Sequence, residues 1–283
     1  MFNWIWPQKP VKGDVVVITG GAMGLGRLLA LRFASLGAVV VIWDMHTELG
    51  HQLVDQIQAT GGTAQFYNID VTDRDKVYTI GHEILDKYQA VDLLINNAGI
   101  VNGRPLLESS DVMIERTFAV NAMSHFWSIK VFLPMMIQRD KGHIVSVASA
   151  AGIFGSPGMV DYGASKSAAI GLMLSLRQEL HAMGHFGVRT TIVCPGFIAT
   201  GMFEGVSPPL FTQWLTPEFV ADQTVKAVRR NQWRVLLPSV LSVLEVVAIM
   251  MPMCFVDWFI RITKTSRAMK SFKQTRKHAL KHE

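Results

Sequence analysis

A tyrosine and a lysine four residues apart, Tyr162 and Lys166, have the spacing in this chain that most directly suggests chemistry. In a helix they lie on one face, about 6 Å apart along the axis. A lysine ammonium at that separation stabilises a phenolate, which predicts a Tyr162 pKa lowered from about 10 toward neutrality. Tyr162 is therefore predicted to act as a general base.

Ser149 lies thirteen residues before Tyr162, at the end of an apolar stretch that begins at His143. A strand that ends there would present the serine hydroxyl at the edge of a sheet. Taken singly, each residue has an ordinary structural explanation, as a core aromatic or as a strand-end hydroxyl. Their order along the chain, together with a glycine-rich turn near the N-terminus, favours a catalytic set.

The glycine-rich turn spans Thr19–Gly26 and directly follows an apolar run, Val15–Thr19. Gly20 permits a tight turn, and Gly24 and Gly26 let the start of the next helix approach a pyrophosphate. The N-terminus of a helix favours that negative charge. This segment therefore predicts a dinucleotide site.

Asp44 ends the second apolar run, where a carboxylate can accept hydrogen bonds from the adenosine ribose and repels a 2′-phosphate. No basic residue occupies positions 21–24 or position 45. These features favour NAD over NADP as the cofactor. The alternative for Asp44 is a solvated helix cap.

Strand-like and helix-like segments alternate from Val15 to about Pro238. The predicted strands are Val15–Thr19, Ala38–Asp44, Thr63–Asp70, Val91–Asn96, Gly142–Ser149, Val188–Cys194 and Trp233–Leu237. Helices are predicted at about 25–36, 47–59, 110–139, 159–185 and 217–230, with a further helix capped by Thr72. The alternation predicts an α/β fold with a Rossmann-type, doubly wound parallel sheet of about seven strands.

The chain divides into three predicted parts. Residues 1–13 form a short aromatic N-terminal segment, 14–238 a single dinucleotide-binding catalytic domain, and 239–283 an extension that is apolar and then basic. The longest uncharged stretch of the apolar part, Val246–Val256, has 11 residues, whereas a membrane-spanning helix needs about 20. We therefore expect no simple transmembrane span, and the N-terminus is too short for the apolar core of a signal peptide.

The net charge of +5 comes from the C-terminal end of the chain, since residues 261–283 carry eight lysines and arginines and one glutamate. The remainder is slightly acidic, which excludes the basic surface of a nucleic-acid-binding domain. The two cysteines, Cys194 and Cys254, lack a partner spacing and fit a reducing compartment. The histidine pairs His181/His185 and His278/His282 lack a third ligand, so no metal site is predicted.

Together these motifs resemble the short-chain dehydrogenase/reductase family from about Val15 to Pro238. Thr19–Gly26 resembles its TGxxxGxG turn, Asn96–Gly99 its NNAG motif, and Pro195–Thr200 its PG segment. The resemblance implies contacts of Asp70 and Val71 with the adenine ring. The cofactor-binding residues that it implies are Gly20, Met23, Gly24, Leu25, Gly26, Asp44, Asp70, Val71, Asn97, Ala98, Gly99, Tyr162, Lys166, Pro195, Gly196, Ile198 and Thr200.

The resemblance also implies a catalytic set of Asn121, Ser149, Tyr162 and Lys166. In the implied reaction Tyr162 removes the proton of an alcohol while hydride moves to the nicotinamide. Ser149 would hold the substrate oxygen, and Lys166 would bind the nicotinamide ribose. Asn121 would position a water that links Lys166 to solvent.

The segment after Thr200 is rich in apolar side chains and poor in basic ones, which indicates a lipophilic substrate. The predicted lid over the nicotinamide consists of Met202, Phe203, Leu210, Phe211, Trp214 and Leu215, with the substrate pocket assigned to Met202, Phe203, Phe211 and Trp214. The sequences of several motifs are similar to those of the branch that acts on retinol, 17β-hydroxysteroids and long-chain alcohols. We therefore expect an NAD-dependent alcohol dehydrogenase for such a substrate.

Two other interpretations stay open: an NADPH-dependent carbonyl reductase, and a non-catalytic lipid-surface protein that keeps the fold. Long helices at 110–139 and 159–185 could pack in a homodimer or homotetramer. From Phe255 to Leu280, aromatic and apolar residues alternate with basic ones, as in a helix that binds an anionic membrane surface. The alternative for that segment is a subunit-contact helix followed by a solvated basic tail.

The expected location follows from that basic amphipathic segment. We expect membrane association on the cytosolic side, at the endoplasmic reticulum or a lipid droplet in a eukaryotic cell or at the inner membrane in a bacterium. The alternative is a cytoplasmic protein.

Overall fold

The structure is a computed structural model that describes residues 8–203, 213–252 and 254–255. Phe211, Leu210 and the basic amphipathic segment predicted after Phe255 lie outside the described residues. The predictions that concern them therefore stay predictions.

Seven strands form one sheet in which every neighbouring pair is parallel. The strands are β1 (Val15–Thr19), β2 (Val39–Asp44), β3 (Thr63–Asn68), β4 (Leu93–Asn96), β5 (Gly142–Val147), β6 (Val188–Pro195) and β7 (Arg234–Leu237). Their order is β3-β2-β1-β4-β5-β6-β7, so the direction of winding reverses between β1 and β4. The predicted doubly wound parallel sheet is confirmed. Ligands of such sheets bind where the carboxyl ends of the strands face this reversal.

Helices cover both faces of the sheet. They are α1 (Gly24–Ser35), α2 (Thr47–Ala59), α3 (Arg74–Tyr88), α4 (Asp111–Phe118), α5 (Ser124–Gln138), α6 (Ala151–Phe154), α7 (Val160–Ala182), α8 (Pro217–Arg229) and α9 (Val240–Met250). Along β1, Val16 and Ile18 enter one apolar core, whereas Val15 and Val17 enter the other. This burial on both faces explains why the strands have nearly continuous apolar sequences.

The first core is closed by α1, α2 and α8, with Phe33, Leu53 and Val220 among its buried side chains. The second core is closed by α3, α5 and α7, and it contains Phe132 and Met173. These two layers hold the carboxyl ends of the strands, here called the carboxyl edge, in fixed relation to the helices that follow them.

The long helix predicted at 110–139 is interrupted. A π-helical turn, Ala119–Met123, separates α4 from α5 and carries Asn121. The extra residue that a π-helical turn accommodates shifts the faces of α4 and α5 relative to each other, and such turns are frequent at functional sites. Periodicity of apolar residues alone does not distinguish this arrangement from one continuous helix.

The predicted N-cap of α3 was Thr72, and the structure corrects it to Asp73. The Asp73 carboxylate accepts a hydrogen bond from the backbone N–H of Lys76 at 3.0 Å. The Thr72 hydroxyl instead donates to Asp70 at 2.8 Å and accepts from Arg116 at 2.8 Å. Thr72 is therefore part of a polar cluster in front of the helix.

The amino ends of the strands, here called the amino edge, carry a set of charged residues. Asp92 accepts hydrogen bonds from the Val15 N–H and from Lys141, both at 3.0 Å, and from Arg139 at 3.1 Å. The N-terminal segment is fixed at the same edge, since the Lys9 ammonium lies 3.1 Å from Nδ1 of His143 and the Lys9 N–H donates to the Arg229 carbonyl at 2.7 Å.

The last described helix, α9, packs against β7. Leu241 is buried in the second core, and Glu245 forms an ion pair with Arg234. The opposite face is apolar and exposed, with 79% exposure at Ile249 and 62% at Val243. Within the described ranges, the structure contains no helix that is both apolar and long enough to traverse a bilayer.

Candidate active site

The glycine-rich turn connects β1 to α1 at the carboxyl edge. Gly20 has a backbone φ of +61°, a conformation that side chains rarely adopt. A Cβ atom on Gly26 would lie 2.0 Å from the Gly20 carbonyl oxygen. The turn can therefore close tightly only with glycine at both positions, and this closure leaves Met23, Gly24 and Leu25 at the N-terminus of α1.

Hydrogen bonds of Asn97 link this turn to the end of β4. Its side-chain amide donates to the carbonyl oxygens of Thr19 at 3.0 Å and Gly20 at 2.9 Å. The Thr19 hydroxyl accepts from the N–H groups of Asn97 and Ala98 at 3.0 and 3.1 Å. The NNAG segment thus holds the glycine-rich turn in place across the β1–β4 reversal.

Asp44 is the last residue of β2 and is buried. Its carboxylate accepts hydrogen bonds from the Ala22 N–H and the His46 N–H, each at 3.0 Å, and Nδ1 of His46 lies 3.0 Å from the same carboxylate. A carboxylate oxygen can accept two hydrogen bonds, so Oδ2, which is held by Ala22 alone in these contacts, can also accept from a hydroxyl. Asp44 is therefore a structural acceptor of the turn and can still bind a ribose.

Tyr162 and Lys166 lie on α7, and both side chains are buried against the carboxyl edge. The Lys166 ammonium donates to the Val147 carbonyl at 2.8 Å and lies 5.8 Å from the centre of the Tyr162 ring. Ser149 lies two residues after β5 and close enough to Tyr162 to act on the pKa of its phenol. The serine hydroxyl accepts from the Ala151 N–H at 3.1 Å and donates to the Pro195 carbonyl at 3.5 Å. The structure thus brings all three predicted residues together.

The pKa predicted for Tyr162 was wrong for the protein chain by itself. Burial raises the pKa of the Tyr162 phenol to about 12, although the neighbouring Ser149 side chain acts to lower it. Burial also lowers the pKa of Lys166 to about 8. The reason is that both groups lose solvation, while the ammonium is aimed at a backbone carbonyl rather than at the phenol oxygen.

Asn121 lies in the π-helical turn and is fully buried. Its Oδ1 accepts from the Ile100 N–H at 2.8 Å, and its Nδ2 donates to the Ile100 carbonyl at 2.9 Å and to Ser165 at 3.0 Å. Gly99 lies between this amide and Lys166, since a Cβ there would be 3.4 Å from Oδ1 and 3.2 Å from the ammonium. Asn121 therefore shapes the floor of the site next to Lys166.

The segment after β6 reaches over the glycine-rich turn. The Pro195 carbonyl accepts from the Ala150 N–H at 2.9 Å, and the Gly196 N–H donates to the Leu237 carbonyl at 2.7 Å. A Cβ on Gly24 would lie 3.8 Å from the Thr200 side chain. Thr200 thus faces the turn, and Ile198 is held behind it in the first core.

An apolar cluster lies over Tyr162. The Phe203 ring packs edge-on against Tyr162, with ring centres 6.0 Å apart, and Phe197 lies 5.4 Å from Phe203 and 6.0 Å from Trp214. Met202 is 40% exposed, so it lies at the surface beside the cluster. The structure therefore supports an apolar wall for the site in the residues that it describes.

One predicted member of the apolar lid is wrong. Leu215 is 7% exposed and pairs with Ile198 in the first core, so it does not face the site. Phe197, Met159 and Val101, which were not predicted, take part in the cluster instead. Phe197 lies within the PG segment, and its position beside Ile198 was the signal that could have identified it.

Asp70 and Val71 follow β3 at the same edge. Asp70 forms an ion pair with Arg116 of α4 at 2.7 Å, and the Val71 side chain is buried. Burial acts to raise the pKa of Asp70, but the hydrogen bonds from Arg116 and Thr72 outweigh it, so the pKa lies below its usual value. Asp70 is therefore held as a carboxylate.

The arrangement fits a dinucleotide. The glycine-rich turn keeps the start of α1 free of bulky side chains at Gly24, which faces Thr200, while Asp44 contacts the turn at Ala22 and Asp70 follows Ile69, which bonds the Asp44 carbonyl. Ser149 follows β5, two strands from β1, and lies with Tyr162 and Lys166 on the same edge beside the apolar cluster. Among the residues that the structure describes, no group of three or more histidine, cysteine or acidic side chains could hold a metal ion.

Comparison with known proteins agrees with this geometry. The family model described as short chain dehydrogenase matches residues 14–210. The bovine protein named short-chain dehydrogenase/reductase family 16C member 6 is 44% identical over 234 residues, which cover 82% of this chain and 74% of the relative. Mouse epidermal retinol dehydrogenase 2 is 42% identical over 239 residues, covering 83% of this chain and 77% of the relative.

Two solved structures are also similar. A short-chain dehydrogenase/reductase from Burkholderia phymatum in complex with NAD superposes with a TM-score of 0.76 at 28% identity, over 84% of this chain and 93% of that one. A metagenomic short-chain oxidoreductase in complex with NADP gives a TM-score of 0.70 at 29% identity, over 81% and 98% of the two chains.

Proposed function

Because the chain belongs to the short-chain dehydrogenase/reductase family, in its retinol dehydrogenase branch, and is an oxidoreductase, we propose that it uses NAD to interconvert a lipophilic alcohol and its carbonyl compound. A retinoid, a steroid and a long-chain aliphatic alcohol are the substrate classes proposed. The observation that carries this proposal is the convergence of Ser149, Tyr162 and a buried Lys166 beside the apolar cluster of Phe203 and Phe197.

In the proposed reaction, the Tyr162 oxygen takes the hydroxyl proton of the alcohol. Ser149 holds the same substrate oxygen, because its side chain lies next to the Tyr162 phenol. The bound cofactor would accept the hydride, and its nicotinamide ring would add a positive charge near Tyr162. Phe203 and Phe197 would contact the apolar part of the substrate and exclude water.

Lys166 has two roles in this proposal. Its pKa of about 8 means that the ammonium is largely charged at pH 7 and loses its proton as the pH rises through that value. The charged form stabilises a Tyr162 phenolate, and its position beside Gly99 allows contact with a ribose. Asn121 holds the Ile100 backbone that borders this space.

The proposed function is tested with the full-length protein, NAD or NADP, and a panel of all-trans-retinol, a 17β-hydroxysteroid and long-chain primary alcohols. We expect NADH formation with at least one of these alcohols and little with short alcohols such as ethanol, because the apolar cluster offers them few contacts. Absence of turnover with the whole panel, in both directions and with both cofactors, would contradict a catalytic function.

Asp44 is proposed to select NAD. Replacing it by asparagine keeps an acceptor oxygen for Ala22 but removes the charge that would face a 2′-phosphate. Since like charges in direct contact cost several kcal/mol, we expect the Kd ratio of NADPH to NADH to fall by about tenfold or more in Asp44→Asn. Fluorescence titration with NADH and NADPH measures this ratio.

Asp222→Asn is the matched control for Asp44→Asn, because Asp222 is an exposed carboxylate of α8 that pairs with Arg32. Its Kd ratio should equal that of the wild type. A wild-type protein that binds NADPH more tightly than NADH would instead favour the NADPH-dependent carbonyl reductase.

A homodimer is the assembly that we infer. Exposed apolar side chains lie on α4, α5 and α7, among them Val112, Phe126 and Leu174. Burying such a surface against a second copy would remove it from water, which is the usual driving force for association. Light scattering that gives the mass of one chain at micromolar concentration would contradict this inference.

Membrane association is proposed for the C-terminal extension. Exposed apolar residues of α9 lead toward the sequence with eight basic residues between 261 and 283. Apolar and basic residues in combination favour binding to an anionic bilayer. We expect the full chain to sediment with vesicles that contain 30% anionic lipid, and a chain ending at Phe255 to stay in the supernatant.

Neutral vesicles serve as the control for the charge contribution, and they should bind the full chain less well. If the full chain and the chain ending at Phe255 stay in the supernatant in equal amounts, the membrane proposal is wrong, and the alternative of a subunit-contact helix is favoured.

A further inference from the structure

We propose that Arg116 is a positioning residue that fixes the Asp70 carboxylate for recognition of the amino group of an adenine base. This inference rests on the proposed function, since adenine is part of the proposed cofactor. It adds a residue on α4, outside the glycine-rich turn and the tyrosine helix, that would set the base specificity of the site.

The geometry is a closed set of hydrogen bonds among three side chains. Nη2 of Arg116 donates to Oδ2 of Asp70 at 2.7 Å, and Nη1 donates to the Thr72 hydroxyl at 2.8 Å. The Thr72 hydroxyl and N–H both donate to Oδ1 of Asp70, at 2.8 and 2.9 Å. The planar guanidinium therefore contacts two neighbouring side chains at once and fixes the orientation of the carboxylate.

The contacts leave one acceptor position on the carboxylate. Each carboxylate oxygen can accept about two hydrogen bonds. Oδ1 of Asp70 accepts both of its bonds from Thr72, whereas Oδ2 accepts one from Arg116. The remaining position on Oδ2 can accept an N–H donor, and the adenine 6-amino group is such a donor.

The location of Asp70 fits the adenine end of the cofactor site. Ile69, the residue before it, donates its N–H to the Asp44 carbonyl at 3.0 Å. Asp70 thus lies beside the residue proposed to bind the adenosine ribose. The side chains of Asp70 and Arg116 are 28% and 39% exposed, so a ligand can reach the pair.

Thr117, the residue after Arg116 on α4, makes its contact toward Tyr162 and not toward Asp70. The Thr117 hydroxyl lies 3.3 Å from Oδ2 of the buried Asp161, and Oδ1 of Asp161 accepts from the Tyr162 N–H at 2.9 Å. Since Arg116 itself bonds only toward Asp70 and Thr72 in these contacts, its replacement should change adenine binding without changing the Tyr162 region.

The test compares NADH with reduced nicotinamide hypoxanthine dinucleotide, in which a carbonyl oxygen replaces the 6-amino group. We expect the wild type to bind NADH at least about tenfold more tightly than the analogue, because a charge-assisted hydrogen bond is lost. In Arg116→Gln the Kd of NADH should rise about tenfold, whereas that of the analogue should change less than about twofold. Arg116→Lys keeps the positive charge but not the pair of guanidinium donors, so its Kd for NADH should lie between those of the wild type and Arg116→Gln.

Arg139→Gln is the matched control, because Arg139 pairs with Asp92 at the amino edge, away from the site. It should bind both dinucleotides as the wild type does. In Asp70→Asn, adding Arg116→Gln should have no further effect, because Arg116 acts through Asp70. Thermal melts of all variants separate a loss of fold from a loss of binding.

Three outcomes overturn the inference: Arg116→Gln binds NADH like the wild type, it weakens both dinucleotides equally, or the two substitutions add in the double variant. If the wild type binds neither dinucleotide, the proposed function itself is wrong, and that result is distinct from these three.

Discussion

Replacing Tyr162 by phenylalanine should lower kcat for the lipophilic alcohol by about 10²- to 10⁴-fold, the usual contribution of a general base. The phenyl ring can keep its edge-on contact with Phe203, so the apolar wall stays in place. We therefore expect the Kd of NADH to change by less than about twofold. Steady-state kinetics and fluorescence titration of the same preparation measure the two quantities.

Tyr88→Phe is the matched control for Tyr162→Phe. Tyr88 is the last residue of α3, and its hydroxyl donates to Oε1 of Gln65 at 2.8 Å, without contact with the site. This variant should keep full activity. If Tyr162→Phe kept more than a tenth of the wild-type kcat, Tyr162 would not be the base. If it kept the biological role of the protein without turnover, the non-catalytic lipid-surface interpretation would stand.

Gly26→Ala should abolish tight NADH binding. The added methyl group would lie 2.0 Å from the Gly20 carbonyl oxygen and 2.6 Å from the Asn97 amide nitrogen, so the turn would have to open. Overpacking of this kind costs about 1–3 kcal/mol of the free energy of unfolding. We expect that loss in chemical denaturation, together with an increase in the Kd of NADH of at least about a hundredfold, since the displaced backbone is the proposed phosphate site.

Gly171→Ala provides the control, because a Cβ there meets no atom within 4 Å and the residue lies within α7. Alanine in place of glycine inside a helix stabilises by up to about 1 kcal/mol. NADH binding should stay at the wild-type value. Wild-type affinity for NADH in Gly26→Ala would show that the turn does not bind the dinucleotide.

The fold was predictable because its strands are buried on both faces. Runs such as Val15–Thr19 and Val39–Asp44 are apolar almost throughout, so their sequence identifies them as strands without knowledge of their partners. The family assignment, confirmed by the comparisons, was predictable because it depends on local sequence. Its motifs are short, and Tyr162 and Lys166 are one helical turn apart, so local spacing alone places them together.

The features that were not predictable depend on distant contacts. The pKa direction of Tyr162 follows from how deeply α7 is buried, which spacing along the helix does not reveal. The ion pair between Asp70 and Arg116 joins residues 46 positions apart. Leu215, predicted in the lid, enters the core because it pairs with Ile198, and Phe197, which was not predicted, belongs to the apolar cluster instead.

Both ends of the described chain leave the sheet at its amino edge. Lys9 is bound there to His143, and α9 runs back along β7 until Glu245 meets Arg234, the first residue of that strand. In the membrane association proposed for the C-terminal extension, the bilayer would lie on the side of the amino edge, and the carboxyl edge with Tyr162 would face the water phase. An alcohol dissolved in the bilayer would then have to leave it, alone or on a carrier, before it reached Tyr162.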